Sequence, residues 1–495
     1  MSLLDFDFFA FVAAVLLFYY VIGGNFQKYI LMIASIYFYY IVAPTSSKKL
    51  VMLMIFMIAV PYIGGILIEK SSGVIREVIA FLAVLALAGA LFFLRDLYNV
   101  LAEFLIDVKY AALLARVKFF SVLGLSYYAL SAISYLFDVK WELCEAEKNP
   151  AKIALFVFYF PQMFSGPITR YPQMSHQFDA VHKLDYDNIA NGLQRMLWGY
   201  FKKLVISERF ALVSSAIFRH YDDYSGIVII FAAMCYAIQL YTDFSGCMDI
   251  IIGISQLFGI TLPENFDAPF FSCSIREFWR RWHISLGLWF KDYVMFPVQR
   301  SKFISSVGKY FKAKFNKNFA KKIQLYLSMF VLWFLIGVWH GGTAYYFVAS
   351  GLVPFVLLVV SDIFVPSESK TDNAIIKIFQ RLRTILLVCI SFVFVCSGSV
   401  AEGIEVFARI FGHFIAPNTP RISLMSYVNH ADIVLMLFGV AIVLLSDFMR
   451  DKKLPPAEYI RSRAGIVQYG IFYLGILLIM FFGMTGNSDF IYLQF

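Results

Sequence analysis

The residue best suited to carry chemistry in this sequence is His340, which lies in a strongly apolar stretch. An ionisable side chain at membrane depth costs about 2.5 to 3.5 kcal/mol on insertion scales, so it is a functional candidate by default. A neutral imidazole can act as a general base near pH 7 and remove the proton from a hydroxyl nucleophile. Trp339 precedes it, and Gly341 and Gly342 follow, where glycine permits a helix break and a close approach of backbone or ligand. The residues alone leave two interpretations equally open, a general base or a buried histidine hydrogen-bonded to a neighbouring helix.

His283 lies in the aromatic segment REFWRRWHISLGLWF, residues 276–290. The spacing predicts one helix, with Trp282 and the other tryptophans on the face that also carries His283. The residues favour a structural histidine among tryptophans over a catalytic one. Three basic residues project elsewhere from this helix: Arg276, Arg280 and Arg281. They can bind lipid headgroups, which is the commoner explanation, or the phosphates of a donor such as coenzyme A.

Two carboxylates, Asp243 and Asp249, lie six residues apart in the apolar string YTDFSGCMDIIIG. One of them could orient a histidine or pair with an arginine. A structural polar network between helices is the interpretation that the residues favour.

The composition indicates that the helices carrying these residues lie in a membrane. Of the 495 residues, 60% are hydrophobic and only 15% are charged, and the mean hydropathy is +0.73. A soluble domain carries about a quarter charged residues, so cytosolic enzymes and disordered chains are excluded. The net charge of +9 is typical of basic cytoplasmic loops and not of a nucleic-acid site. Membrane lipids are therefore expected partners, and nucleic acid is not.

Apolar runs of about 20 residues, the length that a transmembrane helix needs, predict an all-α polytopic protein with about a dozen spans. The expected spans are 8–23, 28–43, 49–68, 78–94, 119–137, 151–166, 226–242, 246–262, 323–342, 344–365, 382–400, 432–448 and 465–484. The first of them is expected to be a retained span and not a cleaved signal peptide. Segment 263–300 is too polar to span lipid and too apolar for a free loop, so we expect re-entrant or interfacial helices there.

The orientation follows from the basic residues. Segment 300–322 holds eight basic residues and no acidic one, which predicts a cytoplasmic loop. Alternation through the later spans then places the C-terminal tail, 485–495, outside the cytoplasm.

Four strings give the sequence a recognisable pattern: FYFPQMFSGPITRYPQM (158–174), YTDFSGCMDIIIGISQLFGITLPENFDAPFF (241–271), SIREFWRRWHISLGLWFKDYV (274–294) and IGVWHGG (336–342). In this order they resemble the membrane-bound O-acyltransferase family, and most closely its bacterial alginate O-acetyltransferase-like branch. The resemblance covers most of the chain, 1–495, which is expected to form one membrane domain. It implies a helical bundle around a central tunnel.

The resemblance also implies roles. His340 matches the essential histidine of the family and His283 its second frequent histidine, and we expect Trp339, Gly341, Asp243 and Trp282 to support the site. Acetyl-CoA is the expected acyl donor, with no bound cofactor and no metal. An extracytoplasmic SGNH-type partner is expected to pass the acetyl group to an exported cell-surface polysaccharide, which places the protein in the bacterial cytoplasmic membrane.

The chain ends in FIYLQF, so that Phe490, Tyr492 and Phe495 form a Phe-x-Tyr-x-x-Phe pattern. It is similar to the C-terminal motif of related bacterial systems, in which the tyrosine is thought to carry the acyl group. A phenol can serve as an acyl relay because its ester is more activated than an alkyl ester. The alternative is an aromatic anchor at the membrane interface.

Two alternatives to acetyl transfer stay open. The same fold could transfer D-alanine to teichoic acid. From a different class, a polymer or solute transporter would also have many spans and buried carboxylates such as Asp243 and Asp249, although no inverted repeat of broken helices is evident.

Overall fold

The architecture is helical throughout the part of the chain that the computed structural model describes, residues 2–42, 47–97, 100, 124–163, 165–365, 373–415, 424–485 and 490. The first nine helices are α1 (Phe6–Ile22), α2 (Gln27–Val42), α3 (Ser47–Lys70), α4 (Gly73–Leu91), α5 (Leu125–Lys140), α6 (Pro150–Phe158), α7 (Tyr171–Asp179), α8 (Tyr186–Tyr200) and α9 (Glu208–Arg219). They are followed by α10 (Gly226–Leu257), α11 (Ile275–Arg281), α12 (Ile284–Phe290), α13 (Phe296–Gln299), α14 (Lys302–Lys314), α15 (Lys317–Gly341), α16 (Ala344–Tyr346) and α17 (Val353–Phe364). The chain continues with α18 (Ala374–Cys396), α19 (Val400–Gly412), α20 (His430–Asp451), α21 (Pro456–Arg461) and α22 (Gly465–Phe482).

Several of these helices continue through wider, π-helical turns. Such turns are Phe92–Asp96 after α4, Phe201–Ser207 after α8, Lys291–Met295 after α12 and Phe347–Leu352 after α16. Short 3-10 turns are Gly24–Phe26, Tyr221–Asp223, Pro269–Phe271 and Leu424–Ser426. Within the described residues the sole β-type pairing is an isolated antiparallel bridge between Phe266 and Trp282.

Eight helical stretches in the described ranges are long and apolar enough to cross a membrane. They are Lys48–Lys70, Gly73–Asp96, Gly226–Leu257, Lys317–Gly341, Ala344–Phe364, Ala374–Cys396, His430–Asp451 and Gly465–Phe482. α1 is a shorter apolar helix of 17 residues. The all-α, multi-span prediction is confirmed, with the side on which the C-terminus lies still a prediction.

Two of the differences from the expected span boundaries have a clear structural reason. The expected spans 226–242 and 246–262 merge into the single 32-residue helix α10, which ends at Leu257, because Asp243 and Asp249 are ion-paired inside the bundle and do not interrupt it. The expected span 151–166 ends as a helix at Phe158, three residues before Pro161, which disfavours helical geometry in the residue before it.

α10 lies at the centre of the bundle and packs closely on α8. A Cβ on Gly192 would lie 2.7 Å from the carbonyl oxygen of Gly253, and one on Gly199 would lie 2.5 Å from that of Gly246. Small residues at these crossings let the two backbones approach, as is common between membrane helices. α10 is thereby fixed against the segment that carries its counter-charges.

The prediction of one continuous helix over 276–290 is wrong. α11 ends at Arg281 and α12 begins at Ile284, with His283 between them in the left-handed conformation at φ 46°. Trp282 pairs with Phe266, and the N–H of Asp267 donates to the carbonyl of Arg281 at 3.0 Å. These contacts come from the loop after α10, so the spacing of the tryptophans alone does not reveal the break.

Candidate functional site

His340 lies in the last turn of α15, where the chain must pass close to two neighbours. The helix ends in Gly342 at φ 71°, whose N–H donates to the carbonyl of Val338 at 2.9 Å. A Cβ on Gly341 would lie 2.2 Å from the Tyr346 ring, and one on Gly342 would lie 2.6 Å from Cβ of Asp96. The two glycines therefore let side chains of other segments come close to this helix end, and these contacts fix where α15 stops.

Trp339 anchors this helix end and stands between the two histidines. Its indole N–H donates to the carbonyl of Ser126 on α5 at 3.2 Å. Its ring centroid is 4.9 Å from that of His340 and 6.2 Å from that of His283. The structure thus brings together two histidines that are 57 residues apart in sequence, the difference between positions 340 and 283.

Arg95 is a member of this cluster that the sequence analysis missed. It contacts Asp96 through two hydrogen bonds, at 2.6 and 2.9 Å, and donates to the carbonyl of Val338 at 3.2 Å. It also donates to Oγ of Ser126 at 2.5 Å. An adjacent Arg-Asp pair at the end of an apolar run was the signal that could have found it, because such charges in a membrane are paired and face the protein interior.

His283 is 4% exposed and packs edge-on against Phe244, with ring centroids 4.8 Å apart. Its Nδ1 lies 3.3 Å from Oδ1 of Asn265. Trp282, the preceding residue, packs on Phe266 with ring centroids 5.1 Å apart. The turn between α11 and α12 therefore directs His283 away from the course that a continuous helix would give it.

A cavity of about 680 Å³ is lined by both His283 and His340. Its walls are largely apolar and aromatic, with three cationic side chains among them. Lining residues include Trp279, Trp282, Met329, Leu332, Trp333, Tyr345, Tyr346, Arg276, Arg280 and Lys291. This size is within the range of small-molecule binding sites.

The three candidate arginines do not act as one group. Arg276 and Arg280 line the cavity, and Arg276 also pairs with Asp362 on α17. Arg281 instead pairs with Glu277 at 2.7 Å and with Asp451 at the end of α20 at 3.0 Å. Burial alone would lower the pKa of Arg281, but these two carboxylates raise it above its ordinary value. Arg281 therefore stays charged and ties α11 to α20.

Asp243 and Asp249 are partnered by lysines that the sequence analysis missed. Nζ of Lys203 lies 2.7 Å from Asp243, and Nζ of Lys202 lies 2.5 Å from Asp249. Both lysines lie in the π-helical turn after α8 and are buried. Two adjacent lysines next to an apolar run were the available signal, since buried carboxylates require cations. Asp249 also pairs with Arg195 at 3.1 Å, so one of the two carboxylates has the arginine partner that was considered for it. Together these ion pairs fit the structural network that the residues favoured.

Tyr492 and most of the tail 485–495 lie outside the described residues. In the described ranges, no three His, Cys, Asp or Glu side chains come together as a metal site requires. The site therefore consists of two histidines on one cavity, a tryptophan between them and cationic residues on the wall.

Comparison with known proteins identifies the family. A family model described as MBOAT, membrane-bound O-acyltransferase family, matches residues 79–311, which include His283 and end before His340. A probable alginate O-acetylase AlgI from Pseudomonas fluorescens is 30% identical over 331 residues, 66% of this chain and 61% of that protein. The corresponding protein from Pseudomonas aeruginosa is 30% identical over 66% of this chain and 58% of its own length. This chain therefore spans about three fifths of the length of the alginate O-acetylases it matches.

A teichoic acid D-alanyltransferase from Bacillus subtilis is also similar. It is 30% identical over 283 residues, 56% of this chain and 67% of that protein. These similarities agree with the family predicted from the four sequence strings. The chain belongs to the membrane-bound O-acyltransferase family.

Proposed function

We propose that this protein is a membrane O-acetyltransferase that takes acetyl from cytoplasmic acetyl-CoA for the O-acetylation of an exported cell-surface polysaccharide. The observation that carries the proposal is that His283 and His340 line one cavity of about 680 Å³. The similarity to proteins named as alginate O-acetylases supports acetyl as the transferred group.

The lining of the cavity suits the proposed acyl donor. Arg276, Arg280 and Lys291 on its wall carry the charge that suits the phosphates of coenzyme A. The apolar and aromatic walls suit the pantetheine arm and exclude water, which would otherwise hydrolyse the thioester.

The reaction follows from general base catalysis. His340 removes the proton of an acceptor hydroxyl, and the oxygen attacks the thioester carbonyl of acetyl-CoA. The new C–O bond forms as the C–S bond breaks, and the proton passes from His340 to the leaving thiolate, giving an acetyl ester and free coenzyme A. Such proton transfer contributes about 10²- to 10⁴-fold to a rate.

Tyr492 is the proposed first acceptor and acyl relay. The described residue nearest to it in sequence, Phe490, is buried, and Nζ of Lys203 lies 5.0 Å from its ring centroid. This contact places Phe490 against the buried turn after α8, and the proposal of a relay at Tyr492 is to be tested directly. An extracytoplasmic SGNH-type partner then moves the acetyl group to the polysaccharide, and the chain resides in the bacterial cytoplasmic membrane with its C-terminus outside.

The test is to incubate purified protein in nanodiscs with radiolabelled acetyl-CoA and to locate bound label by peptide mass spectrometry. Wild type is compared with His340→Ala and Tyr492→Phe. The matched controls are His430→Ala, at an exposed position at the start of α20, and Tyr473→Phe, at an exposed position on α22. We expect label on Tyr492 in wild type and both controls, and none in the two site variants. Full labelling of His340→Ala would contradict the mechanism.

D-alanyl transfer to teichoic acid is the second candidate, and one observation favours it. The similarity to the teichoic acid D-alanyltransferase covers 67% of that protein, a larger share than for either alginate O-acetylase above. The same labelling with a D-alanyl carrier protein in place of acetyl-CoA separates the two. Label from the D-alanyl donor alone would overturn acetyl transfer.

A further inference from the structure

Asn265 holds three consecutive residues of the turn that carries His283. Its Oδ1 accepts from the backbone N–H of Ser285 at 2.9 Å, from Oγ of Ser285 at 2.9 Å, and lies 3.3 Å from Nδ1 of His283. Its backbone carbonyl accepts from the N–H of Ile284 at 3.0 Å. Asn265 is 1% exposed, so these bonds form in the protein interior, where a lost partner is costly.

The bonds fix which way the side-chain amide of Asn265 points. A backbone N–H can only donate, so the atom that faces Ser285 must be the carbonyl oxygen. The opposite atom, Nδ2, lies 3.1 Å from the sulfur of Met248, a weak acceptor. Because the carbonyl oxygen can only accept, Nδ1 of His283 must be the nitrogen that carries the proton. A neutral imidazole has one N–H, so its Nε2 then carries a lone pair.

The backbone of His283 is strained, and the contacts around it explain how the strain is held. A left-handed conformation costs a non-glycine residue about 1 to 2 kcal/mol, and His283 adopts it at φ 46°. The bonds from Asn265 and the Phe266–Trp282 bridge lie on both sides of that residue. Strained residues persist where their surroundings over-determine them, and this is frequent at functional sites.

We propose that Asn265 is a positioning residue that fixes His283 as the Nδ1–H tautomer and presents its Nε2 to the cavity as a hydrogen-bond acceptor. The inference rests on the proposed acyl transfer and deepens it. A neutral His283 in this tautomer presents a lone pair at Nε2, so it can accept a hydrogen bond from a donor in the cavity. It cannot donate one through Nε2 to the thioester carbonyl, so it does not stabilise the negative charge that develops on that oxygen.

The first test determines the tautomer of His283 without depending on acyl transfer. Protein labelled with ¹⁵N-histidine is reconstituted in lipid, and solid-state ¹⁵N spectra are recorded near pH 7.5, with the His283 signals assigned by their loss in His283→Gln. We expect a protonated Nδ1 and an unprotonated Nε2 in wild type, and a mixture of tautomers in Asn265→Ala. A wild-type His283 that is protonated at Nε2 would overturn the proposal.

The second test compares three variants in the labelling reaction. Asn265→Ala should lower the labelling rate constant at saturating acetyl-CoA by about 10- to 100-fold, as the loss of a group that orients a histidine does in metal sites, with little change in the acetyl-CoA concentration that gives half of that rate. Asn265→Asp keeps the acceptor oxygen and should recover part of the rate. Ser285→Ala is the matched control, because it removes one of the bonds to the same Oδ1 without removing the acceptor of His283.

The outcomes distinguish a residue that positions His283 from one that only supports the fold, and they test the tautomer independently of the proposed function. An equal loss in Ser285→Ala and Asn265→Ala, with no recovery in Asn265→Asp, would assign Asn265 a merely structural role. If wild type shows the Nδ1–H tautomer but transfers no acetyl from acetyl-CoA, the proposed donor fails while the positioning of His283 by Asn265 is supported.

Discussion

Gly341→Ala tests whether the space beside His340 is as tight as the structure indicates. The added Cβ would lie 2.2 Å from Cδ2 of Tyr346, whereas ordinary contacts begin at 3.4 Å, so the ring must withdraw by 3.4 − 2.2, about 1.2 Å. Gly341 has no positive φ, so alanine brings no backbone strain there. Overpacking of this kind costs about 1 to 3 kcal/mol, and part of it is offset by the better helix propensity of alanine. Stability should therefore fall modestly.

The larger effect is expected on the reaction. Tyr346 lines the cavity together with His340, and a misplacement of about 1 Å near a reacting centre can lower the rate on the order of 100-fold. We expect the rate constant for labelling from acetyl-CoA to fall by about that factor in Gly341→Ala. Gly470→Ala is the matched control, since a Cβ there meets nothing within 4 Å, and it should react like wild type.

A double variant shows whether the contact with Tyr346 causes the loss of rate in Gly341→Ala. Gly341→Ala in a Tyr346→Ala background removes the conflict, so the second substitution should cost little further rate or stability there. Thermal unfolding in detergent and the labelling rate are measured for all four combinations. An undiminished rate in Gly341→Ala, or an equal loss in both backgrounds, would refute the reasoning.

Three further predictions concern ion pairs elsewhere in the protein and the end of α15. Lys203→Met leaves the buried carboxylates of Asp243 and Glu208 without their shared cation. It should destabilise the protein by about 3 to 5 kcal/mol, measured by denaturant unfolding in detergent. Adding Asp243→Asn should recover part of that loss, and no recovery would contradict the pairing. Gly342→Ala places a side chain at φ 71° and should lower stability by at least about 1 to 2 kcal/mol, whereas an unchanged melting temperature would exclude the strained helix end. Burial alone would raise the pKa of Glu147, but Lys152 and Tyr171 lower it below its ordinary value of 4.5. The stabilisation that ionised Glu147 contributes is therefore present above pH 4.5 and is lost as pH falls through the lower folded-state pKa. The melting temperature should consequently fall less steeply with decreasing pH in Glu147→Gln than in wild type.

The sequence was sufficient to predict the parts of the fold that depend on local composition. The apolar runs after residue 317 correspond to five helices in the structure, α15, the stretch Ala344–Phe364, α18, α20 and α22. The glycine pair after His340 was also informative, because glycine at a helix end is a local requirement of backbone geometry. Such features need no knowledge of distant residues.

Features that depend on distant residues were predicted less well. Residues 276–290 have a helical spacing of tryptophans, yet the helix breaks at His283 because Asn265 and Phe266 bind the turn from another segment. Similarly, one of Asp243 and Asp249 was considered as a partner for a histidine or an arginine. Asp249 does pair with Arg195, but Asp243 pairs with Lys203, 40 positions earlier in the chain, which its local pattern does not indicate. Periodicity describes one element at a time, so it cannot report which element supplies the competing bond.

The two histidines reach one cavity through different backbone conformations, and each conformation depends on contacts with residues from other segments. His340 is placed by a helix that ends against Asp96 and Tyr346, with Arg95 bonded to the carbonyl of Val338 in its last turn. His283 itself adopts the left-handed conformation, and Asn265 holds it there. Both arrangements restrict an imidazole before any substrate binds, and preorganised groups cost no reorganisation at the moment of reaction. A site built in this way should lose rate more readily than stability when a supporting contact is removed, because the supporting contacts orient the histidines while the surrounding helices carry the packing.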